Sequence, residues 1–66
     1  MGKDRNIVHQ YFKKQMADFT LLVKVNPLHL KAMEITLYPA RDPVMREIDV
    51  DENIVEDLKA DGFAEA

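Results

Sequence analysis

Met33-Glu34-Ile35-Thr36-Leu37-Tyr38 alternates apolar and polar side chains, with Met33, Ile35 and Leu37 pointing one way and Glu34, Thr36 and Tyr38 the other. A period of two with β-branched and aromatic members marks a strand with one buried face. Apolar alternation lies on either side of this stretch in the chain, and a helical pattern lies at each end. The stretch therefore reads as the middle strand of a three-stranded sheet.

Upstream, Phe19 to Asn26 also has period two: Phe19, Leu21, Val23 and Val25 share one face, Thr20, Leu22, Lys24 and Asn26 the other. Asn26-Pro27 ends that strand, because proline cannot donate to a ladder and Asn-Pro favours a turn. Over 27–32 the chain reads as a loop with a turn of helix, Asn26 as its cap and Pro27 at its first position. An extension of the strand through Leu28 and Leu30 is the other reading. Downstream, Pro39 and Pro43 bracket a stiff loop. Val44–Val50 then alternates again. Arg46 on its apolar side suits an edge, where the long stem reaches water. Loops this short favour an antiparallel meander.

The flanks read as helices. From Asn6 to about Ala17, Val8, Phe12, Met16 and Phe19 follow helical spacing, with His9, Gln10, Lys13, Lys14 and Asp18 opposite. Asp51 to Asp61 carries matching end signals. Asp51 suits the N-cap, and Val50 and Val55 are placed for a hydrophobic staple. Gly62 suits the left-handed position after the helix, with Phe63 set to touch Leu58. The expected fold is one α+β domain over 1–66, helix – three-stranded antiparallel meander – helix (αβββα), with 1–5 and 64–66 frayed. Both helices are expected on the face carrying Leu21, Val23, Ile35, Leu37 and Ile48. This order resembles the double-stranded RNA-binding domain in architecture. That family's second helix opens on lysines, whereas here the same place reads Asp51-Glu52-Asn53, so no function is carried over.

Sixty-six residues, 47% hydrophobic and 32% charged, describe a small globular domain near the lower limit for an independent core. Without cysteine, neither disulfides nor thiolate metal sites reinforce it. No apolar run approaches the roughly 18 residues of a membrane-spanning helix. No signal-peptide pattern opens the chain, so a cytoplasmic setting is expected. The net charge of −3 is uneven. Residues 1–33 carry +4 and residues 34–66 carry −7, a split that can steer a charged partner or favour pairing between copies.

Candidate chemistry is sparse. Asp49-x-Asp51-x-Asn53 matches the first ligands of a calcium-binding EF-hand loop, but Ile54 stands where its glycine belongs and Ala60 where its bidentate glutamate belongs. These residues read as a helix cap. His9 and His29 lack metal-ligating neighbours at useful spacing. The chain has no serine, and its two glycines, Gly2 and Gly62, build no phosphate loop. Carboxylates such as Glu56, Asp57 and Asp61 read as a solvated helix surface. No catalytic residue, metal, cofactor or small-molecule substrate is expected, and no enzyme. The expectation is a protein–protein interaction module that self-associates as a homodimer, through the open sheet face at Leu22, Tyr38 and Met45 or through an edge strand. The alternative is weak nucleic-acid binding by a basic patch of His9, Lys13 and Lys14 on the first helix.

Overall fold

Asn26 and Lys31 bracket a four-residue turn whose length sets the register of the two strands it joins. The computed structural model describes residues 9–66. Within them run β1 Gln10–Gln15, β2 Thr20–Asn26, β3 Lys31–Leu37, β4 Val44–Asp49, one helix α1 Ile54–Ala60, and a short β5 Ala64–Glu65. The strands form one antiparallel sheet in the order β4-β3-β2-β1-β5. In the turn, the Asn26 side-chain oxygen accepts the amides of Leu28 (3.1 Å) and His29 (3.3 Å). Leu30 closes it at φ 52°, a left-handed conformation that side chains other than glycine adopt at a cost. Its carbonyl accepts the Val50 amide at 3.1 Å.

The expected helix–three strands–helix order is corrected: the protein is mostly β, with five strands and one short helix among the described residues. The first helix, expected over Asn6–Ala17, is instead β1 from Gln10 onward; residues 6–8 lie outside the described residues. Helical spacing of Phe12, Met16 and Phe19 misled because no apolar alternation marks the strand: Phe12 is the one apolar residue of its face, between Gln10 and Lys14. Gln10, Phe12 and Lys14 turn toward the core side, and Phe12 is fully buried. Burying one phenylalanine is worth about 1.5–3 kcal/mol. As a strand, the segment also satisfies the backbone of β2, which would otherwise be an edge. The Met16 amide donates to the Phe19 carbonyl at 2.8 Å, closing the hairpin over Ala17-Asp18. With β1 added, the middle strand is β2 rather than β3.

The second helix is shorter than Asp51–Asp61. Asn53 occupies its N-cap without a side-chain bond, and Asp51 lies outside, its carboxylate accepting the Asn53 amide at 2.9 Å. The C-terminus follows its sequence signals closely. Gly62 sits at φ 95°, the Phe63 amide reaches the Leu58 carbonyl (3.0 Å) and the Gly62 amide that of Lys59 (3.1 Å). These are the two bonds of a Schellman motif. Phe12, Val23, Val25, Ala32 and Leu58 form the core, and Ile48, Val50, Ile54, Val55 and Phe63 pack around it. The helix thus covers one face of the sheet. Ile35 and Leu37, expected on that face, are not on it.

Candidate functional site

Side chains of directly opposed residues in an antiparallel pair share a face. Val25 stands opposite Ala32, Val23 opposite Glu34, and Leu21 opposite Thr36. The even-numbered residues of β3 therefore join the odd-numbered residues of β2 on the helix side. Its apolar members, Met33, Ile35 and Leu37, fall on the other side, opposite Lys24, Leu22 and Thr20. Extending the register to β1 and β4 gives rows across this second face. One row is Lys13–Leu22–Ile35–Met45 and the next is Tyr11–Lys24–Met33–Glu47. Leu22, Met33, Ile35 and Leu37 are half-buried by their neighbours alone, and Met45 is 64% exposed. No described element lies over them. Both faces of the sheet are apolar, and the described residues cover only one.

The rim of this face is charged unevenly. Lys13 and Lys24 stand on β1 and β2, and Glu47 on the far strand β4. Lys31 pairs with Asp49, its opposite residue on β4. The hydrogen bond to the Asp49 carboxylate, and then its charge, holds the Lys31 ammonium above the ordinary lysine range. At the same end, His9, Lys24, Asn26, His29, Lys31 and Glu47 are among the residues lining a shallow open concavity. Lys24 and Glu34, on neighbouring strands, do not pair, because they lie on opposite faces of the sheet. Glu34 faces the helix side and accepts from Arg46 at 2.9 Å, with the Arg46 side chain 70% exposed at the sheet edge.

Of the three residues expected at an interface, Leu22 and Met45 lie in one row on the uncovered face, separated only by Ile35. Tyr38 lies beyond β3, its ring 5.7 Å from that of Phe19 and under the Arg41 guanidinium at 4.3 Å. It belongs to a small aromatic cluster at the hairpin end, not to the Leu22–Met45 row. Met33, Ile35 and Leu37 are the members sequence reasoning assigned to the core. Their signal was present as a second apolar alternation, but nothing local says which alternation the helix covers.

The basic trio is split. On a strand, adjacent residues point apart, so Lys13 stands on the uncovered face while Lys14 reaches the opposite side. Lys14 donates from Nζ to the Asp61 carbonyl at 2.7 Å and lies 5.7 Å from the Phe63 ring centroid, holding the helix C-terminus to β1. His9 lines the concavity. The acidic triplet is occupied too, Asp49 by Lys31 and Asp51 by the Asn53 amide. No group of three metal-ligating side chains converges among the described residues. No helix there is long and apolar enough to cross a membrane. Comparison with protein-family models, curated proteins and solved structures finds no match to this chain.

Proposed function

We propose that this chain is a small non-enzymatic interaction module whose uncovered sheet face stacks on the same face of a second copy. The observation that supports it is the register placing Leu22, Met33, Ile35, Leu37 and Met45 together on the side away from α1. Contiguous exposed apolar surface of this kind marks an interface more often than isolated residues do.

Charge favours a copy of the same chain as the occupant. The face is basic toward β1 and β2, at Lys13 and Lys24, and acidic at Glu47 on β4. A two-fold axis running along the strands, midway between two stacked sheets, lays the β4 side of one copy over the β1–β2 side of the other. Ile35 then meets Leu22 at the centre, and Glu47 of each copy faces Tyr11 of the other, one same-face step along β1 from Lys13. An axis running across the strands would instead lay β4 on β4 and β1 on β1, the acidic strand on itself and the basic strand on itself. Aligned stacking with the small crossing angle that sheet twist imposes is an ordinary sandwich geometry. Four strands and about six residues give a face of roughly 19 by 20 Å. That is smaller than the roughly 800 Å² per partner of standard interfaces, which points to reversible association.

Molar mass by light scattering across protein concentration, at low and high salt, tests the reading. A mass that doubles with concentration, and reverts to monomer in Ile35→Glu, supports it. High salt weakens the attraction between the rims without abolishing the dimer. A monomer at every concentration overturns it, as does a dimer indifferent to Ile35→Glu.

A further inference from the structure

The register also identifies which backbone groups of β4 point away from β3 and have no strand partner among the described residues. The Val50 amide donates to the Leu30 carbonyl, one step beyond the Lys31–Asp49 pair. In an antiparallel ladder, residues bonded to the neighbouring strand alternate with residues whose N–H and C=O point away. Val44, Arg46 and Ile48 accordingly bond to β3, and Met45, Glu47 and Asp49 present their amides and carbonyls outward. No described strand takes them, since β4 ends the sheet order. The devices that usually block such an edge are missing from it. β4 has no lysine, and Pro43 precedes rather than interrupts it.

The surroundings of that edge are acidic. Residues 42–52 hold Asp42, Glu47, Asp49, Asp51 and Glu52, of which Asp49 is engaged by Lys31, and their one basic group, Arg46, is engaged by Glu34. We propose that the β4 edge accepts an extended basic segment of another protein as an added strand. This use is separate from the stacked dimer, which occupies the face and leaves the edge free. A second copy fits the edge poorly, because in two-fold antiparallel pairing outward residues must oppose outward residues. Centring on Glu47 or Asp49 opposes identical carboxylates, centring on Ile48 opposes Glu47 to Asp49, centring on Arg46 opposes two arginines, and centring on Met45 sets Glu47 against Pro43, which has no N–H to donate. A basic strand meets none of these obstacles. Its cationic residues stand opposite Glu47 and Asp49, an acidic one opposite Arg46, and apolar ones opposite Val44, Met45 and Ile48.

That complement, read antiparallel from Asp49 to Val44, is Lys-Val-Lys-Glu-Leu-Val. The test titrates this hexapeptide, acetylated and amidated, into the full chain and follows backbone amides by NMR and hydrogen exchange. The expected result is slowed exchange centred on Met45, Glu47 and Asp49. The charge-exchanged peptide Glu-Val-Glu-Lys-Leu-Val should bind about tenfold more weakly, from three reversed cross-strand pairs. Glu47→Pro removes an outward donor that β3 does not use and should abolish the protection. Glu47→Gln keeps the donor and should weaken binding without abolishing it. Equal binding of the two peptides overturns the proposal. So do shifts confined to Leu22 and Ile35 on the open face, and edge protection that grows with protein concentration in the absence of peptide.

Discussion

Replacing Ile35 with threonine, beside the same change at Val23, separates the two possible registers of the sheet by their energies. Val23 is 3% exposed in the core under α1. Threonine there exchanges a methyl for a hydroxyl without an evident partner, and burying an unpartnered hydroxyl costs about 1–3 kcal/mol in proteins. Ile35 is half-buried on the uncovered face. Full burial of isoleucine is worth about 1.5–3 kcal/mol, so removing part of a half-exposed side chain forfeits roughly 1 kcal/mol or less, and threonine suits a strand. The expected gap is therefore about 1–2 kcal/mol, with Val23→Thr the more damaging. Urea unfolding at low protein concentration, where stacking between copies contributes nothing, measures both variants against the same slope. A slip of one residue in pairing would exchange the faces of β3 and bring Met33, Ile35 and Leu37 under the helix. If Ile35→Thr destabilises the monomer as much as Val23→Thr, that slipped register is the true one. The reading of the uncovered face as an interface then fails with it.

Three further outcomes follow from single backbone or charge features. Leu30 holds φ 52° at the end of the β2–β3 turn, so Leu30→Gly should stabilise the fold by about 1 kcal/mol, read as a raised thermal midpoint. Gly62→Ala should destabilise it by about 1 kcal/mol through conformation alone. Its φ is 95°, whereas an added Cβ would meet only the Lys14 side chain, at an ordinary 3.6 Å. The Asp49 partner raises the Lys31 pKa, so the charged pair's contribution is present below the ordinary lysine value of 10.5 and is lost as pH rises through the elevated one. Thermal midpoints of the protein and of Asp49→Asn, compared from neutral pH upward, should converge only above that value.

Much of the local structure was legible in the residues themselves. Gly62 and Phe63 announced the helix end that forms. Asn26-Pro27 announced the turn, and the strands over 20–26, 33–37 and 44–49 followed from alternation. The edge position of β4 was legible in Arg46, whose charge sits on an otherwise apolar side. The segment 10–15 was not legible, because its face of Gln10, Phe12 and Lys14 shows no apolar alternation, while Phe12 does fit a helical stripe with Val8 and Met16. Only the free side of β2 and the space beside Leu58 decide between helix and strand. Lys13 and Lys14 changed meaning with it: neighbours on one helical surface became residues on opposite faces of a sheet.

What the residues determined alone were periods, stops and caps, since each depends on contacts within a few positions. What only the tertiary structure decided was which apolar side of β3 the helix covers. β2 and β3 each carry one unambiguous apolar alternation, and nothing in either says how the two are phased. The turn supplies the phase. Four residues between Asn26 and Lys31 pair odd positions with even ones, so the apolar row of β3 falls in with Leu22 and away from Val23. A turn one residue longer or shorter would have reversed the faces, which is why the uncovered surface belongs to the pairing of strands and not to any strand by itself.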